Sequence, residues 1–389
     1  MQHDPLIFTI FLIFTGAAVM ASLALYARQS LLVAYILLGI LFGPSVFGLV
    51  NDPVLIKQIS NVGIMFLLFL LGLNLPPVKL IPLLQEMTLV TGASSILFAI
   101  TGFAIAWAFG FDTWECLLIG AALSFSSTII GLKLLPTTVL HHRRTGEVII
   151  SILLIQDVIA IIILLLLQTV GQGSLPWLEI ALRIAALPML IAVAYLLERY
   201  VLIKLITRFD QIQEYIFLMS IAWCLGIAQF AASLGLSHEI GAFIAGVVLA
   251  TSPISLFIGE RLKPLRDFFL IIFFFSLGAS FNLDILMAVF LPASVIAAFI
   301  LLGKPLVFRL LLRKSGEASG RSLEIGIRLG QISEFSLLIA ILALETNIIG
   351  ERASYLIQLT ALLTFIISSY VIVMRYPTPI ALNDKLRRD

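Results

Sequence analysis

Runs of about twenty apolar residues recur along the whole chain, and no other feature constrains the fold as strongly. Each run is long enough to cross a hydrocarbon layer of about 30 Å. Inside such a layer only helices and closed barrels satisfy their own backbone groups. The runs are continuous Leu, Ile, Ala, Val and Phe without strict alternation, so they read as helices and not as barrel strands. Charged residues make up 12% of the chain, against about 25% in a soluble domain, which excludes an ordinary soluble globule.

Thirteen spans are read, at 6–26, 30–49, 56–75, 86–110, 114–136, 146–169, 178–204, 215–233, 237–257, 267–282, 285–312, 322–344 and 352–374. Residues 1–374 therefore form one transmembrane domain, and 375–389 a short basic tail. The N-terminus has no basic region ahead of its apolar run, which is a full span and not a cleavable signal. With the N-terminus outside, nineteen of the 24 Lys and Arg residues fall at cytoplasmic ends. Three (Lys57, Arg183 and Arg352) fall at outer ends, and Lys304 and Arg328 lie within spans. The positive-inside rule selects this orientation and an odd helix count, with the C-terminus cytoplasmic.

The chain also repeats itself. "AYILLGILFGPS" from Ala34 matches "GAFIAGVVLATS" from Gly241 at an offset of 207. "FLLGLNL" from Phe69 matches "FSLGASFNL" from Phe275, and "IGAALSFSS" from Ile119 matches "IGIRLGQIS" from Ile325, both at 206. The offset equals seven helices, and an odd number inverts the second copy. Repeat one runs over about 6–169, a linker helix over 178–204, and repeat two over about 215–374. Inverted repeats are a hallmark of secondary transporters, whose substrate sites lie near the midplane at discontinuous helices.

Ionisable groups within spans are few, and each costs at least a few kcal/mol at the bilayer centre. Asp157 sits halfway along span 6 in "ILLIQDVIAIIILL", beside the amide of Gln156. An apolar span gains nothing from a lone carboxylate, so Asp157 is the candidate ion carrier. Lys304 lies inside span 11 in "FILLGKPLVF". It has two readings: snorkelling to the cytoplasmic end, or an internal cation facing Asp157. Spans 5 and 12 are expected to break at matching positions, "LSFSSTIIG" and "RLGQISEFS". There Ser126, Ser127 and Thr128, with Gln156 and Asp157, would bind the ion, and Lys304, Glu334 and Arg328 would offset the partial charges of half-helix ends. Gly39 and Gly43 form a close-packing GxxxG pattern. Cys116 and Cys224 read as buried free thiols, and His141 and His142 as part of a solvated basic loop. No HExxH, GxSxG or phosphate loop is present, which leaves protease and ATP-driven pump readings unsupported.

The motifs "SFSSTIIG", "QDVIAI", the Lys304 segment and "GQISEFSLL" together resemble the Kef-type monovalent cation:proton antiporter-2 family. The resemblance covers essentially the whole membrane part. It implies an all-α sodium/proton antiporter-like fold with a dimerising panel and an ion-carrying core, and hence a homodimer in a lipid bilayer, the bacterial inner membrane. It implies that Asp157 binds either the cation or the proton, so that potassium or sodium is transported and no cofactor is needed. The Gln156–Asp157 pair resembles the potassium-handling branch. Kef systems also carry a cytoplasmic nucleotide-binding regulatory domain after the last helix, expected here as a separate or missing part. The segment "SPISLFIGERLKPLRDFF" lacks the His- and acid-rich pattern of glutathione-gated relatives. A nucleic-acid partner is not expected. The competing readings are a sodium-coupled symporter on the same scaffold and a gated cation channel.

Topology reporters fused at His142 and Gly171 should report opposite sides of the membrane, with His142 cytoplasmic. The same side for both would refute the thirteen-helix topology.

Overall fold

The computed structural model describes residues 5–27, 29–50, 53–73, 81–135, 144–170, 177–209, 212–252 and 254–378. His141, His142, Gly171 and the end of the basic tail lie outside the described residues. The regular elements among the described residues are helices. In chain order they are α1 (Pro5–Tyr26), α2 (Leu31–Phe42), α3 (Pro53–Leu73), α4 (Ile81–Ala108), α5 (Thr113–Ser124), α6 (Thr128–Lys133), α7 (Arg144–Val170) and α8 (Trp177–Leu197). A π-helical turn, Glu198–Leu202, joins α8 to α9 (Ile203–Arg208). There follow α10 (Gln213–Ser233), α11 (His238–Ala250), α12 (Ser255–Ala279), α13 (Leu283–Lys314), α14 (Ser319–Arg328), α15 (Glu334–Glu345) and α16 (Glu351–Arg375). Among the described residues six helices are long and apolar enough to cross a membrane alone, and shorter apolar helices accompany them.

All thirteen expected spans carry helix, and the two expected breaks divide α5 from α6 and α14 from α15. Three boundaries differ from the sequence reading by seven residues or more. α2 stops at Phe42 and not at residue 49, because Pro44 disfavours helix at the residue before it. α11 stops at Ala250 and not at residue 257. α12 begins at Ser255, well before residue 267. The charged stretch Glu260–Asp267 is helical and holds an ion pair between Glu260 and Lys263. Hydropathy marks where a chain leaves lipid, whereas Glu, Arg and Lys are good helix formers that carry the helix on.

The described residues fall into two compact units that interleave along the chain, each drawing on both repeats. The first takes 1–17, 35–79 and 172–280. Its framework is two helix crossings without side chains between the backbones. A Cβ on Gly39 of α2 would overlap the Phe275 carbonyl oxygen of α12, and one on Gly278 would overlap the Ile36 carbonyl oxygen. At the other crossing Gly246 of α11 meets the Phe69 carbonyl of α3, and Gly72 meets the Phe243 carbonyl. Gly39 and Gly246 are 207 residues apart, and Gly72 and Gly278 are 206 apart. The two crossings are thus the same crossing built twice, each pairing a helix of one repeat with a helix of the other. Close backbone approach of this kind is how small residues hold membrane helices together.

The second unit takes 18–34, 80–171 and 281–389 and contains α4 to α7 and α13 to α16. The glycine device recurs: Gly120 of α5 lies against the Ala99 backbone of α4, and Gly326 of α14 against the Pro305 backbone of α13. An ion network joins its elements through Arg144, which bonds Glu86 at 2.6 Å and Glu317 at 2.9 Å. Arg321 donates to the other Glu317 oxygen at 2.6 Å. Cys116 and Cys224 are both buried free thiols.

Gly39→Ala or Gly246→Ala should lower the melting temperature by several degrees, since overpacking at a backbone contact costs about 1–3 kcal/mol. Gly226→Ala, where nothing lies within 4 Å of the added carbon, should leave it unchanged or raise it. Differential scanning fluorimetry of the purified protein checks the contrast.

Candidate ion site at the helix crossing

The site grows out of the two broken helices. α5 ends at Ser124, and Phe125 is extended at φ −89° and ψ 152°. α6 then starts at Thr128, with the Ser127 hydroxyl accepting from the Ile130 N–H at 3.0 Å. α14 ends at Arg328, and α15 starts at Glu334 after an extended Ser333 at φ −87° and ψ 154°. The Ser333 hydroxyl accepts from the Phe335 N–H at 3.1 Å. Ser127 and Ser333 are 206 residues apart, so both second half-helices begin on the same serine N-cap.

Breaking a helix away from water leaves backbone groups that need partners. Side chains from neighbouring helices provide them. Gln156 of α7 spans the first break: its Oε1 accepts from the Ser126 N–H at 2.9 Å, and its Nε2 donates to the Ser124 carbonyl at 3.2 Å. Thr364 of α16 does the corresponding work at the second break, accepting from the Ile332 N–H at 3.2 Å. Gln331 links the breaks, donating to the Arg328 carbonyl at 2.9 Å and the Ser127 carbonyl at 3.4 Å. Ser368 donates to Gln331 Oε1 at 2.9 Å. The Ser126 hydroxyl donates to the Leu329 carbonyl at 2.9 Å, crossing from one break to the other.

Lys304 of α13 is fully buried and points into the crossing. Its ammonium donates to the Phe125 carbonyl at 2.6 Å, the Gln331 carbonyl at 3.1 Å and the Ser126 hydroxyl at 3.2 Å. Phe125 and Gln331 are again 206 residues apart, so the charge lies between equivalent carbonyls of the two repeats. Lys304 therefore does not snorkel. An ammonium has three N–H donors, and these three acceptors occupy them.

Asp157 is 1% exposed, midway along α7. The Thr128 hydroxyl lies 3.3 Å and 3.2 Å from its two oxygens. Among the described residues no ion pair joins Asp157 to Lys304. The carboxylate instead sits by Thr128, the first residue of α6, where a helix end carries partial positive charge. Glu334, the first residue of α15, lies within electrostatic reach of Asp157. Carboxylates thus gather at the positive half-helix ends and the ammonium at the negative ones.

The structure sorts the sequence candidates. Asp157, Thr128 and Glu334 lie together. Ser126, Ser127 and Gln156 adjoin them, but each already bonds the backbone of a break. Arg328 faces elsewhere: it bonds Glu324 at 3.0 Å, the Leu134 carbonyl just past α6 at 3.0 Å and the Pro377 carbonyl at 3.0 Å. It offsets the negative end of α6 and ties down the chain after α16. Sequence reasoning missed Phe98, whose ring centroid is 5.7 Å from the Lys304 ammonium, and the Thr364–Ser368 face of α16. The available signal was the spacing of four in Thr360, Thr364 and Ser368 within an otherwise apolar span.

Comparison with known proteins agrees with this architecture. The sodium/hydrogen exchanger transmembrane family matches residues 10–374. The chain is 30% identical over 95% of its length to the "Putative cation/proton antiporter YbaL" of Escherichia coli (strain K12), of which it covers 68%. It is 28% identical over 90% of its length to K(+) efflux antiporter 6 of Arabidopsis thaliana, of which it covers 60%. The chain thus spans about three fifths to two thirds of these relatives' own length. The solved sodium proton antiporter MjNhaP1 from Methanocaldococcus jannaschii superposes with a TM-score of 0.69 at 17% identity, covering 94% of this chain and 95% of that one. Two inverted repeats, paired helix breaks and a buried carboxylate beside them therefore accompany a family match along nearly the whole chain: the protein belongs to the sodium/hydrogen exchanger transmembrane family.

Proposed function

We propose that the protein is a secondary active transporter that exchanges a monovalent cation, potassium in preference to sodium, for protons, with Asp157 binding either ion. The observation that carries this reading is the state of the Asp157 carboxylate. It is buried, its hydrogen-bond partner is the neutral Thr128 hydroxyl, and Lys304 is engaged by other acceptors. A buried carboxylate without a matching charge is costly, and a proton or a small cation relieves that cost. The two ions compete for the same oxygens. Slow crossing of the empty, charged form makes exchange obligatory, and one carboxylate gives one proton per cation.

The Thr128 hydroxyl is placed to share the cation with Asp157. Gln156, Ser126 and Ser127 act by holding the break in shape, and Glu334 adds negative potential nearby. Potassium is favoured because a relative is named as a K(+) efflux antiporter and the Gln156–Asp157 pair resembles the potassium-handling branch. The working form in this reading is a homodimer in the bacterial inner membrane, with the N-terminus outside and the C-terminus cytoplasmic. The role is transport and not catalysis.

Purified protein in liposomes with an entrapped pH dye tests the reading. A potassium pulse should move protons in the opposite direction, with sodium less effective. Asp157→Asn should reduce exchange to the level of empty liposomes while retaining the wild-type gel-filtration profile, and Asp157→Glu should keep weak activity with altered cation preference. Wild-type exchange by Asp157→Asn would refute the assignment.

A further inference from the structure

The geometry around Lys304 points to a second cation site in this protein. Three oxygens, from Phe125, Gln331 and Ser126, converge on one ammonium at 2.6, 3.1 and 3.2 Å. The Phe98 ring closes the position at 5.7 Å, a cation–π distance. Lys304, Phe125, Ser126 and Gln331 are all 1% exposed or less. Lys304 and Phe98 are themselves 206 residues apart, as are Phe125 and Gln331. The ammonium therefore occupies a position that the two repeats build jointly, and only one repeat provides a tethered cation to fill it.

Convergent carbonyls are what selects potassium-sized ions in channel filters. An aromatic face favours a weakly hydrated cation such as ammonium. We propose that these groups form a built seat for a monovalent cation, that the Lys304 ammonium is its resident occupant, and that the seat accepts a free ammonium or potassium ion once that side chain is removed. The resident charge keeps transported ions out of this seat and leaves Asp157 as their place of binding. Lys304 is in this sense a positioning residue. It balances the carbonyl ends of α5 and α14 and takes no part in ion exchange itself. The seat follows from the crossing geometry and stands apart from the transport role of Asp157.

The test is made in the Asp157→Asn background, so that binding at the carboxylate cannot produce the signal. Three proteins are compared: Asp157→Asn, Asp157→Asn/Lys304→Ala and Asp157→Asn/Lys304→Met. Thermal unfolding is followed in detergent with ammonium or potassium chloride replacing choline chloride at constant ionic strength. The Lys304→Ala protein should melt below its parent in choline. It should rise saturably, by about 5 °C or more, in ammonium or potassium. The parent should show no such rise. The Lys304→Met protein should show none either, because its side chain fills the space without replacing the charge. Fluorescence-detected gel filtration of membranes solubilised in each salt gives a second readout if the Lys304→Ala protein is too labile to purify. The proposal is overturned if Lys304→Ala shows no saturable response, if the parent responds equally, or if Lys304→Ala fails to fold even in ammonium.

Discussion

The Lys304 ammonium between the Phe125 and Gln331 carbonyls is the interaction on which the second unit depends. Two helices interrupted at matching points turn several carbonyl dipoles toward one place inside the molecule. Without a cation there, those groups would be buried and mutually repelling, and continuous helices would be preferred. With the cation, the extended segments after Ser124 and Arg328 become tenable. Gln156 and Thr364 then take up the N–H groups of Ser126 and Ile332. Both of these partners are neutral, so among the bonds to the extended segments the charge comes from Lys304. Such networks are rigid when complete and costly when one member is lost.

The same interaction shapes the chemistry next to it. Because the Lys304 donors are occupied, Asp157 gains no permanent counter-ion from them. The start of α6 and the Thr128 hydroxyl ease its burial without neutralising it. In the proposed mechanism a carboxylate held this way takes up an ion and releases it again, whereas a tight ion pair would keep it closed. Glu334 sits at the equivalent half-helix start, in the place of Thr128 in the other repeat. One repeat thus presents a hydroxyl and the other a carboxylate at the matching position.

Much of the fold was legible because lipid imposes simple rules. The thirteen spans, the two breaks and the internal repeat all follow from apolar run length, from Gly and Ser placement and from one recurring offset. Helix ends were less legible where charge and helix coincide. Residues 258–266 read as a connection by hydropathy, yet they lie in the first half of α12. At the site, Asp157 stands out because a lone carboxylate in an apolar span has no structural excuse. The partners of Lys304 could not be read in the same way. A backbone carbonyl has no sequence signature, and which carbonyls face an ammonium depends on where two chain segments cross. Arg328 is a further case. It ends α14 at the edge of a break, and the length of its side chain carries the guanidinium to the far end of the half-helix α6.

Charge movement tests the central claim most directly. Wild-type protein is reconstituted in liposomes, equal cation and proton gradients are set, and a membrane potential is imposed with a valinomycin-free lipophilic ion. If Asp157 alone carries the ions, one proton is exchanged per monovalent cation and no net charge crosses. Exchange should then be independent of the potential, with no steady-state current on a supported membrane. A sustained current that scales with the ion gradient, or exchange that accelerates with voltage, would contradict the single-carboxylate account and identify a second titrating group.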